Sequence, residues 1–406
     1  MEQKGMTGRF KGDIIIWTVI FFLCVYSALA VYSGIAGRAL ADKAFSEEHL
    51  YLMRHLFIIV VGLILMWLVH LVKWHNALQK TGFALLLISW ILLLITIFFG
   101  KEVAGAKRWI DFGVFSIQTS DIAKLTLIIY LSSVFTKVKT FQNDFKQMLK
   151  WVYAPVLITC ALIVKDDNST AMILFAVVVL LMFFARIPMK KIFTLIGICL
   201  LGMTVVFLGY GIIKSIKSDK KEIESSTRVH TGMNRITRFF DEKEPYSQEF
   251  RAQLAVAEGG LTGRMPGKSE QRFKLANIES DYIFAIIVEE YGLLLGAIPI
   301  IIAFLILTFR GIKIALNSNR PFSAYLVLGI TFMYVLQAFI NIGVSVDVLP
   351  VTGQPMPFVS KGGSMFIMCC VAFGLVLSES RVNAEEKEEV EGVEQAKNNE
   401  KEIIDN

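Results

Sequence analysis

Hydrophobic and polar positions along this chain alternate in blocks, not in stripes. Ten apolar runs stand out, at approximately 13–34, 51–73, 80–100, 121–136, 150–164, 169–186, 191–213, 282–309, 322–345 and 364–380. A helix rises about 1.5 Å per residue, so each run is long enough, or nearly so, to cross a hydrocarbon core of about 30 Å. The fourth and fifth are the shortest. The pattern predicts an all-α integral membrane protein with about ten transmembrane helices. After the first run, Ser33-Gly34-Ile35-Ala36-Gly37-Arg38 leads into a polar loop without a small-residue cleavage site, which predicts an uncleaved signal anchor.

The connections set the orientation. With the N-terminus inside, the short inner segments hold 15 Lys and Arg and the short outer loops hold 7, so both termini are expected in the cytoplasm. One connection is far longer than two packed helices need. It is a large extracytoplasmic loop between helices 7 and 8, residues 214–281, and its aromatic and aliphatic residues argue for structure. Within it, Ser247 to Glu258 is helix-like and ends at Gly259-Gly260. Two regions follow: a polytopic membrane domain over 1–380 and a Glu-rich cytoplasmic tail over 381–406, expected to be solvated and disordered.

Composition agrees with this reading. Hydrophobic residues make up 55% and charged residues 19%, and the mean hydropathy is +0.58. The formal charge of +6 is small and placed by orientation, so it argues for no nucleic-acid partner. All five cysteines lie in apolar runs, which predicts neither disulfides nor a zinc site.

Candidate chemistry gathers near the outer face. Arg108, beside Trp109, suits either a lipid phosphate or a substrate, whereas Lys124 falls inside the fourth span, where an ammonium either snorkels or serves function. In the turn Lys165-Asp166-Asp167-Asn168-Ser169-Thr170, Ser169 and Thr170 suit helix capping. Asp167 stays open between capping and binding, and the paired carboxylates suit a divalent cation, magnesium or manganese. The long loop carries Arg235, Arg238 and the glycine-rich stretch Gly259 to Gln271 with Arg264 and Lys268, a composition able to wrap a phosphate or simply to turn. Asp281 opens the eighth span, either as a helix cap or as a base whose apolar neighbours raise its pKa. Glu289 and Glu290, deeper in that helix, should face the bundle interior. Three prolines between Leu349 and Ser364 exclude a helix there, so this segment, with Ser360, is a rigid loop packed in protein or lining a polar cavity.

Taken in order, these clusters resemble the SEDS family of bacterial cell-wall polymerases. The most specific match runs from Leu349-Pro350-Val351-Thr352-Gly353 through Pro357-Phe358-Val359-Ser360 to Gly362-Gly363-Ser364. Gly105-Ala106 with Arg108-Trp109, Gln118 to Lys124, Asp167 with Thr170, Gly259 to Gln271, and Asp281 to Gly292 resemble further family segments. Thr119 and Asp121 stand where the family has Pro and Glu, Asp166 and Ser169 replace Pro and Gly, Met265 replaces a Gly, and Lys361 replaces a common aromatic.

The resemblance implies an inverting glycosyltransferase of the bacterial cytoplasmic membrane that polymerises lipid II into glycan strands during division or elongation. It implies Asp281 as the base and Arg108, Lys124, Arg235, Arg238, Arg264, Lys268 and Ser360 as substrate contacts, with support from Asp167, Glu289 and Glu290. It also implies a class B penicillin-binding protein and other divisome or elongasome membrane proteins as partners. No cofactor follows from the motifs beyond that divalent cation. The long charged tail favours the division type. A lipid II flippase and a non-catalytic scaffold are the alternatives. Charge at the outer rim, with only Lys124, Glu289 and Glu290 inside the spans, favours chemistry at one face.

Overall fold

The structure, a computed structural model, describes residues 12–42, 45–103, 106–111, 116–165, 167–216, 247–273 and 280–404. Three long helices come first: α1 (Ile14–Asp42), α2 (Phe45–His70) and α3 (His75–Phe99). Among the described residues, seven helical stretches are long and apolar enough to cross a membrane, namely Ile14–Ser33, Leu50–His70, His75–Phe99, Phe145–Val164, Ile283–Leu316, Pro321–Ser345 and Gly363–Glu391. Helices α4 (Thr119–Phe135), α8 (Asn168–Phe184) and α9 (Met189–Ile216) occupy the positions of further predicted spans.

At the centre stand α4, α13 (Pro321–Ser345) and α14 (Gly363–Ile404). Helix α4 is buried on nearly every side, its polar residues included. Close approach is set by small residues: a Cβ on Gly329 of α13 would meet the Ile128 side chain of α4 at 2.5 Å, and one on Gly374 of α14 would meet the Met66 carbonyl of α2 at 2.9 Å. The outer helices turn large apolar side chains outward. Phe57 and Phe98 are 68% and 69% exposed, which only a hydrocarbon surround tolerates along whole helices.

Four features depart from the expected pattern. The chain is not all α: β1 (Lys101–Val103), β2 (Ala106–Asp111) and β3 (Ser116–Gln118) form an antiparallel sheet that pairs Trp109 with Gln118 and so fixes the entry to α4. The fifth span begins earlier. After a separate turn α5 (Val138–Phe141), helix α6 (Phe145–Met148) runs through a wider π-turn at Leu149–Tyr153 into α7 (Ala154–Val164), so that Lys146 and Lys150 stand on the helix. After α10 (Gln248–Gly259, capped by the Ser247 hydroxyl), the eighth span is broken into α11 (Ile283–Gly292), a π-turn at Leu293–Ala297 and α12 (Ile298–Leu316).

The tail is the fourth departure. Expected to be solvated and disordered, it continues α14 as one helix to Ile404. Glu, Lys, Ala and Gln dominate it and all favour helix. Its first turns are tied to neighbours: Arg381 donates to the Leu71 carbonyl (2.8 Å), Asn383 to the Ile314 carbonyl (3.1 Å), and Glu385 pairs with Lys73 (2.8 Å).

Candidate functional site

The segment 349–363 is the hub of the outer end. Its prolines rule out helix, so its backbone groups need side-chain partners, which the surrounding helices supply. Gln337 donates to the Pro355 carbonyl (3.0 Å) and Asn341 to the Gln354 carbonyl (2.8 Å), both from buried positions on α13. Within the loop, the Ser360 hydroxyl accepts from Met356 N–H (2.7 Å), and Phe358 takes a left-handed φ of 61°.

The same side chains hold Asp281. Asn341 Nδ2 also donates to the Asp281 carbonyl (3.0 Å), and Ser360 Oγ donates to the Ser280 carbonyl (2.7 Å). The main chain at Asp281 is thus clamped on both peptide units while its partly exposed carboxylate accepts from Ser280 Oγ at 2.9 Å. Asp281 is not the helix cap: that position belongs to Tyr282, which makes no side-chain cap bond.

From its other side the hub reaches Asp167. Gln354 Nε2 donates to both Asp167 oxygens (3.2 and 3.3 Å), and Thr170 Oγ1 donates to Gln354 Oε1 (3.2 Å). Of the readings left open for Asp167, the structure shows the cap. It caps α8 by accepting from Thr170 N–H (3.1 Å), the role expected of Ser169 and Thr170, and it stands 3.6 Å from Arg108 Nη1. A hollow with room for about one water lies between Arg108, Asp167, Thr119 and Ser120. One loop therefore ties Arg108, Asp167 and Asp281 into a single polar assembly.

Lys124 sits elsewhere. Its ammonium lies 2.8 Å from Asp121 Oδ1, one turn earlier in α4, and both side chains are nearly fully buried. Buried Tyr334 and Cys369 face this pair from α13 and α14. The ammonium is satisfied within the protein instead of snorkelling to the interface. Ser364 anchors the start of α4 by accepting from Gln118 N–H (3.0 Å).

The glycine-rich stretch forms a hairpin docked into the break between α11 and α12. Arg264 N–H bonds to the Glu289 carbonyl (2.9 Å), Met265 N–H to the Glu290 carbonyl (3.0 Å), and Leu293 N–H returns to the Gly260 carbonyl (2.9 Å). Glu289 and Glu290 do face inward, and both are spoken for: Glu289 accepts from Glu270 N–H (2.8 Å) and the Ser269 hydroxyl, and Glu290 accepts from Ser33 of α1. Arg264 is committed to Glu270 (3.0 Å) and Glu258 (3.5 Å), so its charge is largely used inside the hairpin. Lys268 is exposed beside Met265. Arg235 and Arg238 lie outside the described residues.

This docking depends on absent side chains. A Cβ on Gly259 would fall 2.1 Å from the Val288 carbonyl oxygen, and Gly263, at φ 78°, meets the Glu290 carbonyl as closely. Gly259→Ala should therefore destabilise the fold by about 1–3 kcal/mol or more, seen as a lower Tm in detergent. A Tm equal to that of the parent would mean that the hairpin docks otherwise.

Two connectors, Gln354 and Asn341, belong to the fourth polar cluster of the sequence, with no site role assigned to either there. Asn341 carried a usable signal, because an amide inside an otherwise apolar span must find partners in the bundle. Among the described residues, no group of three or more His, Cys, Asp or Glu stands together to hold a metal ion.

Fold and site together define a multi-span helical membrane protein whose polar assembly is built at one end of the bundle. Residues 13–385 match the family of cell cycle proteins that includes FtsW, RodA and SpoVE, and the chain belongs to it. It is 30% identical over 389 residues to a probable peptidoglycan glycosyltransferase FtsW of Coxiella burnetii, covering 92% of this chain and 98% of that protein. It is 28% identical over 387 residues to the stage V sporulation protein E of Bacillus subtilis, again covering 92% and 98%. Among solved structures, a chain of a peptidoglycan synthase complex superposes with a TM-score of 0.70 at 22% identity, covering 92% of this chain and 98% of that one. The rod shape determining protein RodA of Thermus thermophilus superposes with a TM-score of 0.60 at 20% identity, covering 91% and 97%.

Proposed function

We propose that this protein is a peptidoglycan glycosyltransferase that polymerises lipid II at the outer face of the bacterial cytoplasmic membrane, crossing it about ten times with both termini inside. The observation that carries this reading is the single loop that holds a carboxylate, Asp281, and a cation, Arg108 with Asp167, at one end of the bundle. In the reaction, an acceptor sugar hydroxyl attacks the anomeric carbon of the lipid-linked chain. The new O–C bond forms as the bond to the diphosphate oxygen breaks, the hydroxyl proton passes to the Asp281 carboxylate, and undecaprenyl diphosphate leaves. Arg108 stabilises the charge gathering on that diphosphate, and Asp167 fixes the guanidinium in place. Lys124 is held by Asp121 within α4, about two turns from the Gln118 entry that Ser364 anchors. Ser360 holds the loop segment against Ser280, and Lys268, Arg235 and Arg238 belong to the outer loop, from which they would meet the substrate. Glu289 and Glu290 keep the hairpin docked. A divalent cation would enter with the diphosphate; Asp166, the other half of the paired carboxylates, lies outside the described residues. A class B penicillin-binding protein is the expected partner, and division the expected setting.

The reading is tested by reconstituting the purified protein with such a transpeptidase and labelled lipid II and resolving glycan chains on a gel. Polymer is expected. A flippase or a scaffold would make none, the first while still binding lipid II. Orientation is tested separately: a cysteine introduced at Ser218 should react with a membrane-impermeant thiol reagent in cells whose outer membrane is permeabilised, and labelling only after lysis would reverse the topology.

A further inference from the structure

The end of the bundle opposite Asp281 carries a second polar feature that the reaction does not use. Helix α8 begins at the Asp167 cap and ends about 26 Å away, at about 1.5 Å per residue, in the turn Ala185-Arg186-Ile187-Pro188. The turn closes with Arg186 N–H on the Phe183 carbonyl (3.0 Å) and Ile187 N–H on the Met182 carbonyl (3.1 Å). Its left-handed residue is usually glycine, but here it is Arg186 at φ 56°, a conformation that costs free energy for any residue with a Cβ.

That position makes Arg186, an exposed residue, part of the wall of a hollow. The hollow holds about 440 Å³ between α8 and the start of α9, walled by Phe183, Phe184, Ile187, Pro188 and Met189. Phe184 is fixed against Phe332 of α13 by a stacked contact at 5.4 Å. Lys190 and Lys191 follow in the first turn of α9, and Lys191 lies 5.8 Å over the Phe145 ring, beside exposed Lys146 and Lys150. Arg186 is exposed and, among the described residues, has no carboxylate partner. An apolar hollow with an unpaired arginine in its wall and lysines around it complements a phosphate on two acyl chains.

We infer that this hollow between α8 and α9 is a binding site for an anionic phospholipid, distinct from the substrate site. The phosphate meets Arg186 and Lys190, and the acyl chains lie along Phe183, Phe184 and Met189. Basic pockets between membrane helices on the cytoplasmic side suit such headgroups. A generic basic rim would give the same charge without the hollow or the strained arginine.

The test is the Tm of the full-length protein in detergent with added cardiolipin, phosphatidylcholine or inorganic phosphate. Cardiolipin should raise the Tm of the parent, and the other two should not. Arg186→Gly removes the charge and relieves the backbone, so its Tm without lipid should equal or exceed that of the parent while it loses more than half of the cardiolipin shift. Arg186→Asn, which also tolerates the left-handed turn, serves as a second variant. Lys139→Gln, a charge loss elsewhere on the same rim, should keep the shift. The inference is overturned if the parent does not respond, if phosphate or phosphatidylcholine protects equally, if both Arg186 variants keep the shift, or if Lys139→Gln loses as much of it.

Discussion

Asp281→Asn is expected to lower glycan polymerisation by about 10²–10⁴-fold, the usual contribution of a positioned general base, with folding and partner assembly intact. The substitution removes the proton acceptor and little else. An amide oxygen still accepts from Ser280 Oγ, and the carbonyls at Ser280 and Asp281 stay bound to Ser360 and Asn341, because neither contact involves the side chain that changes. Since Asp281 does not cap α11, no helix terminus is lost. Polymer yield is read on a gel against co-purification of the transpeptidase. Parent-like yield from Asp281→Asn would remove the catalytic assignment and leave the fold and family as they are.

Lys124→Met should have the largest effect on stability, about 3–5 kcal/mol, because it strands the Asp121 carboxylate in the bundle core. The pair is 2.8 Å apart with both side chains nearly fully buried, and Asp121 Oδ2 has no other hydrogen-bond partner. Lost activity in Lys124→Met alone therefore says little about substrate. The informative variant is Asp121→Asn combined with Lys124→Met, in which no buried charge remains. Its Tm should recover most of the loss. If polymerisation recovers with it, the ion pair is structural; if Tm recovers and lipid II binding does not, Lys124 also serves the diphosphate. A single Lys124→Met variant that melts like the parent would show that the pair does not form.

Much of this was legible in the sequence for physical reasons. Apolar length marked the helices, because in hydrocarbon a continuous helix is the simplest way to satisfy the backbone. The density of prolines and glycines between Leu349 and Ser364 marked the hub as irregular and packed. The strands β1–β3 were not legible: they are three to six residues long and are stabilised by pairing across the entry to α4. Nor was the helical continuation of α14, since its polar composition suits solvent and helix alike and the contacts of Arg381 and Asn383 with α2 and α12 decide between them. The Lys124–Asp121 pair was within reach of sequence reasoning, because residues three apart on a helix share a face.

The hub grips its neighbours largely by carbonyl oxygens: those of Ser280, Asp281, Gln354 and Pro355 are the acceptors that Ser360, Asn341 and Gln337 hold. Every amino acid offers that oxygen. The grip on those four peptide units therefore depends on where the backbone runs and not on which side chain each residue carries. A change at Asn341 or Ser360, by contrast, releases two segments at once.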